Sequence, residues 1–220
     1  MHNGGIAGFE RLKRALQALL SDPIFHIPQG NTDSEWAFAL FLSLLDPLVS
    51  IDSTAPFPHT VLRHAMLSTI STLNSLARSA GITEPSLLNF CITDGETVIA
   101  TRYVSSKHDE AASLYYSSGT TFSEDAAGGH YRMSKLDKRE NIIMIASEPL
   151  TFEKADWLEI RTNTMVVITP RMNLLQIPIV DEFHVPPSCA NTRAVEFAVT
   201  KGLLTPKVTS SFPTRGIEVS

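Results

Sequence analysis

The chain has 220 residues, of which 43% are hydrophobic and 19% charged, and its formal net charge is -5. This length and composition predict one sizeable globular domain, with or without a tail. No stripe of Lys or Arg occurs, which argues against a nucleic-acid partner. The densest basic stretch, residues 132–139, is interpreted as a solvated loop.

Targeting, membrane and metal signals are also missing from the sequence. The N-terminus has no signal-peptide pattern, and the most apolar segment, residues 36–45, is about half as long as a membrane span requires. The two cysteines, Cys91 and Cys189, form neither a CxxC pair nor a zinc spacing. We therefore expect a cytoplasmic protein without membrane contact, metal or cofactor.

Hydrophobic residues recur at helical spacing in the first eighty positions. They predict helices over 9–20, 33–45 and 60–80. Ser21-Asp22-Pro23 is expected to end the first helix, and Gly81 to cap the third.

After residue 86 the pattern changes to short runs of β-forming residues. Strands are predicted over 87–93, 97–103, 113–119, 141–147, 164–169 and 174–179, with a tight turn at Asp94-Gly95. Because helices precede strands and do not alternate with them, the expected class is an α+β layered fold. Residues 1–180 are predicted to form the domain and 181–220 a Pro-rich tail, with a short helix possible at 194–204.

Asn3-Gly4 is the first candidate for chemistry. An Asn amide followed by a backbone N–H that no Cβ crowds offers two donors, which is what an oxyanion hole requires. Asn-Gly is also common in tight turns, and taken alone the turn is the more frequent explanation.

Thr32-x-x-Glu35 matches a helix capping box, with Asp33 in the first turn. The structural interpretation of Asp33 is an acid that favours the helix dipole. The functional interpretation is a carboxylate held rigidly for a substrate ammonium group. Both interpretations can hold together.

In order, these motifs resemble the class II glutamine amidotransferases, whose glutaminase domain belongs to the N-terminal nucleophile hydrolases. The resemblance covers about residues 1–180. It is carried by HNGGIAGF at 2–9, TDSE at 32–35 and IASEPL at 145–150. The strand regions NFCITDGETVIATRY, SLYYSSGTTF and TFEKADWLEI to NLLQIPI are similar to one branch, the fungal amidotransferase-like subunit of the glutathione-degrading Dug pathway.

The resemblance implies an αββα sandwich and hydrolysis of a γ-glutamyl amide by an N-terminal Cys, whose α-amino group serves as base. It implies that Asn3 and Gly4 stabilise the oxyanion and that Asp33 binds the substrate's α-ammonium. Ser147-Glu148, at the end of a predicted strand, are expected to line the same pocket, without an assigned role. In the Dug branch the substrate would be glutathione, cleaved to glutamate and Cys-Gly beside a metallopeptidase-like partner.

The chain departs from this family because residue 1 is Met and residue 2 is His. Cys91 is not expected to substitute, since it lies within a strand without a terminal amine beside it. We therefore expect an incomplete αββα sandwich that lacks about the first hundred residues of the family. The alternatives are a non-catalytic member that retains glutamyl or partner binding, and an unrelated α+β binding domain.

Overall fold

The computed structural model describes residues 1–124, 128, 130–135, 141–151 and 153–186. Its helices are α1 (Phe9–Gln17), α2 (Asp22–Phe25), α3 (Asp33–Leu45) and α4 (His59–Ser79), with a 3₁₀ turn at Lys154–Asp156. Its strands are β1 (His2–Gly5), β2 (Leu87–Thr93), β3 (Val98–Arg102), β4 (Tyr115–Gly119), β5 (Thr121–Glu124), β6 (Tyr131–Ser134), β7 (Ile142–Ala146), β8 (Leu158–Glu159), β9 (Thr164–Ile168) and β10 (Leu174–Pro178).

The predicted helices are confirmed, and local chemistry sets their ends. At the start of α3, the Thr32 hydroxyl accepts from the Glu35 N–H at 3.3 Å while the Glu35 carboxylate accepts from the Thr32 N–H at 3.4 Å. Gly81, with φ 64°, ends α4. The first helix is shorter than predicted, because Asp22–Phe25 forms a separate helical turn. Pro23 lies in the first turn of that helix, where a backbone N–H makes no intrahelical hydrogen bond.

The largest sheet is antiparallel, with strand order β1-β2-β3-β9-β10. Helices α1, α3 and α4 pack on one face, in a core that includes Leu16, Leu40, Met66, Leu88 and Val167. The opposite face packs against the three-stranded sheet β7-β4-β8 through Ala100, Val166, Ile168, Ile143 and Ile145. One helical layer and two sheets therefore stack in the described part of the chain.

The prediction of a mixed α+β fold is confirmed. The described residues supply three of the four layers of an αββα sandwich, so the specific sandwich of the N-terminal nucleophile hydrolases stays a prediction. The division into a domain at 1–180 and a tail at 181–220 also stays a prediction. Asp181 accepts a 2.5 Å hydrogen bond from the buried Tyr103 hydroxyl, whereas Cys189 and the predicted helix at 194–204 lie outside the described residues.

Several strands were missed by the sequence analysis. The solvated-loop interpretation of residues 132–139 is wrong for Arg132, Met133 and Ser134, which belong to β6. Met133 is buried against Gly119, where a Cβ atom would lie 2.5 Å from the Met133 sulfur. Met133 is the one buried residue of β5 and β6, and Phe122 stacks on Tyr131 across the hairpin, so no alternating apolar pattern reveals it.

The Asp94 carboxylate ties the β2–β3 turn to the segment before α4, and it makes stability dependent on pH. It accepts from the N–H groups of Phe57, Glu96 and Thr97 at 2.8, 3.0 and 2.7 Å. Partial burial acts to raise the pKa of Asp94, but these donors outweigh it and lower the pKa below the ordinary value of 3.8.

We expect the stability that Asp94 contributes to be complete above about pH 4 and to be lost as pH falls through the lowered pKa, because the folded state prefers the ionised form. Chemical denaturation between pH 2 and 7 should show that Asp94→Asn removes part of the acid-induced loss. An equally steep loss in the variant would contradict this assignment.

Candidate active site

Strand β1 holds the Asn3-Gly4 pair in an extended conformation and not in a turn. It pairs antiparallel with β2, with Asn3 opposite Asn89 and Gly4 opposite Leu88. Within the described residues β1 is an outer strand of the sheet. Asn3 and Gly4 are both exposed, so a ligand can reach them. The tight-turn interpretation is therefore wrong for this pair.

The register decides which way the Gly4 amide points. Met1 and Cys91 exchange both main-chain hydrogen bonds, at 2.8 and 2.9 Å. Hydrogen-bonded and non-bonded pairs alternate along an antiparallel ladder, so Gly4 is in a non-bonded pair. Consistently, the N–H of its partner Leu88 bonds to the Tyr103 carbonyl on the other side of β2. The Gly4 N–H therefore faces the open edge of β1.

Position 4 requires glycine for two reasons. Its φ of 143° lies in the region that L side chains rarely adopt. A Cβ atom there would also lie 2.0 Å from the Leu87 carbonyl oxygen. The same oxygen is 3.0 Å from Nε2 of His2. The Gly4 backbone and the His2 ring therefore lie against the same carbonyl group of β2. The glycine thus lets β1 lie close to β2 while its amide stays accessible.

Asp33 lies on the same open edge. Its Oδ2 accepts from the Ile6 N–H at 2.9 Å, and Ile6 is two residues beyond Gly4. At about 3.4 Å per strand residue, the Gly4 and Ile6 amides are roughly 7 Å apart. Asp33 is half-buried and carries two oxygens with four acceptor sites, so the bond to Ile6 leaves capacity for a further donor. The structure thus brings Gly4 and Asp33 together.

The Asn3 side chain points toward the second sheet. Its Nδ2 donates to the Ser147 hydroxyl at 2.8 Å, just beyond β7. The next residue, Glu148, accepts from the Ser113 hydroxyl at 2.6 Å. Residues Ser147-Glu148 therefore lie beside β1, with Ser147 orienting the Asn3 amide.

Cys91 requires a correction. From the sequence we expect no terminal amine beside Cys91, but the Met1 ammonium donates to the Cys91 carbonyl oxygen at 2.8 Å. The thiol itself packs beside the cluster between the two sheets. Burial raises the pKa of Cys91, and the nearby ammonium only partly opposes this effect. A thiol held in its protonated form is a poor nucleophile.

Two residues of this edge escaped the sequence analysis. His2 Nδ1 lies 3.0 Å from the Ser34 hydroxyl, and that hydroxyl lies 3.3 Å from Oδ1 of Asp33. His2 belongs to the HNGGIAGF motif and marks a departure from the family, and Ser34 belongs to TDSE, but the sequence assigns a role to neither. No periodicity distinguishes either residue, since their contact joins positions 32 apart.

Within the described ranges, no group of three or more His, Cys, Asp or Glu side chains could hold a metal ion. Of the helices that the structure describes, none combines the length and the apolar character needed to span a bilayer.

Comparison with solved structures defines the class. The chain is similar to a glutamine aminotransferase class-II domain protein from Silicibacter pomeroyi, with a TM-score of 0.56 and 28% identity over 82% of this chain and 67% of that one. The resemblance to the class II glutamine amidotransferases is thereby confirmed. No protein-family model matches the chain.

A particular relative comes from yeast. The chain is 46% identical over 191 residues to the "Probable glutamine amidotransferase DUG3" of Saccharomyces cerevisiae. The match covers 84% of this chain and 53% of that protein, so the chain spans about half the length of this relative.

Proposed function

We propose that residues 1–180 form the glutamyl-binding part of a class II glutaminase site. The substrate's γ-carbonyl oxygen would lie against the Gly4 N–H and the Asn3 amide, and its α-ammonium against Asp33. The observation that carries this proposal is that the Gly4 amide and the Asp33 carboxylate occupy one open edge of β1.

The dimensions of the edge support this orientation. Four bonds of about 1.5 Å separate the α-nitrogen of a glutamyl group from its γ-carbonyl carbon, which gives an extended length of roughly 5 Å. The Gly4 N–H and the Ile6 N–H, which binds Asp33, are roughly 7 Å apart along β1. The ligand must also be separated from its partner at each end by the length of one hydrogen bond. A glutamyl group therefore fits along the strand.

A neighbouring recess of about 70 Å³ is a weaker candidate for this substrate. It lies on the helical side of β1, and most of its lining is apolar, including Phe38, Phe41, Met66 and Phe90. Placing a zwitterion against this mostly apolar lining would remove its charges from water, which costs several kcal/mol for each charge that finds no partner. The polar open edge gives each charged or polar end of the ligand a partner.

The reaction would be hydrolysis of a γ-glutamyl amide. A cysteine thiolate attacks the γ-carbonyl carbon, the oxyanion forms against the Asn3 and Gly4 donors, and the amine leaves with a proton. Water then hydrolyses the thioester to release glutamate. The Cys91 thiol is half-buried and burial raises its pKa, so we propose that Cys91 is not this nucleophile.

The finer assignment is glutathione as substrate, a metallopeptidase-like protein as partner and the cytoplasm as location. It is supported by the motif resemblance to the Dug branch. The similarity to the yeast relative supports the amidotransferase class more directly, since the name of that protein specifies a glutamine amidotransferase.

The binding proposal is tested by Asp33→Asn. Asparagine keeps an acceptor for the Ile6 N–H but loses the charge that pairs with ammonium. We expect glutamate affinity, measured by calorimetry, to fall about tenfold or more, while thermal stability changes little. Asp22→Asn is the control, because Asp22 likewise lies in the first turn of a helix but is exposed, whereas Asp33 is half-buried. Equal affinities in all three proteins would refute the role of Asp33.

A second candidate is a non-catalytic glutamyl-binding protein, which the raised pKa of the half-buried Cys91 thiol favours. The purified 220-residue chain should then bind glutamate but release none from glutamine or glutathione. Release on addition of the cysteine-bearing segment of a class II relative would favour the enzymatic function. Release by the chain alone would refute the non-catalytic candidate.

A further inference from the structure

We propose that His2 is a positioning residue for Asp33, and that it acts by accepting the hydroxyl proton of Ser34. This inference rests on the proposed function, since it concerns how Asp33 is kept available for an ammonium group. The three side chains form a line: His2 Nδ1 is 3.0 Å from Ser34 Oγ, which is 3.3 Å from Asp33 Oδ1.

The far side of the imidazole fixes the direction of these bonds. His2 Nε2 lies 3.0 Å from the Leu87 carbonyl oxygen, which can only accept, so Nε2 carries the hydrogen. In the neutral ring, Nδ1 then carries a lone pair and no hydrogen, so it can only accept. The ring is held in this orientation by Phe90, with centroids 4.6 Å apart. His2 thus presents an acceptor to Ser34.

Ser34 has one proton and two acceptors within reach. If the proton goes to His2, Oδ1 of Asp33 has no donor from Ser34 and can receive the ligand's ammonium. If His2 cannot accept, the hydroxyl turns to Asp33 and takes one of the acceptor sites left beside the Ile6 bond, which weakens the attraction of the carboxylate for the ligand's ammonium. The shorter distance to His2 favours the first arrangement. His2 therefore keeps the carboxylate available without touching the substrate.

Two substitutions test the two ring nitrogens of His2 independently. His2→Gln can reach Leu87 as Nε2 does, but leaves Ser34 without its acceptor. His2→Asn can offer an oxygen near the position of Nδ1, but loses Leu87. We expect His2→Gln to weaken glutamate binding about threefold to tenfold and His2→Asn to retain most of it. Ser34→Ala should restore affinity when combined with His2→Gln, because it removes the competing hydroxyl.

The measurement is calorimetric titration at pH 8, above the range in which imidazoles ordinarily titrate. Glutamate is compared with glutarate, which lacks the ammonium, and thermal unfolding is followed in parallel. Weaker binding of glutamate alone, with rescue by Ser34→Ala, supports the inference. Equal losses for glutamate and glutarate, an unchanged affinity in His2→Gln, or no rescue would overturn it.

The failure of this inference can be told apart from failure of the proposed function. If the wild type binds glutamate and Asp33→Asn weakens it, but the His2 variants behave otherwise than expected, only the inference fails. If the wild type binds no glutamate, both fail. Should His2→Gln not fold, nitrogen NMR of the wild-type imidazole still decides: a neutral ring with its hydrogen on Nδ1 would overturn the direction of the bonds.

Discussion

Gly4→Ala is expected to lower the free energy of unfolding by about 3 kcal/mol or more, measured by chemical denaturation. The added Cβ would lie 2.0 Å from the Leu87 carbonyl oxygen, far inside a van der Waals contact of about 3.5 Å. The φ of 143° adds backbone strain. Relief requires β1 to move away from β2, which would also displace the amide that we assign to the oxyanion.

Gly81→Ala separates the clash from the backbone strain. Gly81 also has a positive φ, 64°, but a Cβ there meets nothing within 4 Å. We expect this control to cost only about 1–2 kcal/mol, the ordinary penalty of a left-handed conformation. A loss for Gly4→Ala no larger than the loss for Gly81→Ala would show that β1 accommodates the side chain and that the close approach is not essential.

Local signals were sufficient for most of the fold. The capping box at Thr32 and Glu35 and the Gly81 cap mark helix ends that the structure reproduces, because each is set by residues a few positions apart. The buried strands β2, β3 and β9 were likewise visible as short apolar runs. Strand β1 was missed because its four residues, His-Asn-Gly-Gly, contain no apolar side chain. Their extended conformation comes from pairing with β2.

The site was predictable only in part, for a related reason. The motif resemblance named Asn3, Gly4 and Asp33, and the structure brings Gly4 and Asp33 to one edge. Their chemistry depends on contacts between distant positions: Asn3 with Ser147, and His2 with Ser34. Neither contact has a periodicity or a spacing rule, so only the assembled sheets reveal them.

Arg102→Met is expected to cost about 3–5 kcal/mol, enough to unfold a domain of marginal stability. Arg102 is 6% exposed at the end of β3. Its guanidinium donates to the Ala112 carbonyl at 3.0 Å, to Glu159 at 2.8 Å and to the Ile160 carbonyl. Methionine fills similar volume but satisfies none of these acceptors, and a buried acceptor left without a donor is the costly part.

Arg78→Met provides the matched control. Arg78 pairs with Glu182, but their side chains are 65% and 50% exposed, so water can replace the pair and we expect a change within about 1 kcal/mol. Similar losses in the free energy of unfolding for the two arginine variants would mean that burial of the Arg102 hydrogen bonds adds little to stability.

The position of Arg102 connects this stability effect to the site. It joins β3 of the first sheet to the segment before β4 and to the end of β8, in the second sheet. Ser147, which orients the Asn3 amide, follows β7 of that second sheet. If Arg102→Met remains folded but the two sheets shift, the Asn3–Ser147 hydrogen bond should weaken. The Asn3 amide signals in an NMR spectrum of the variant would then move, while those of the exposed control Arg78→Met would not.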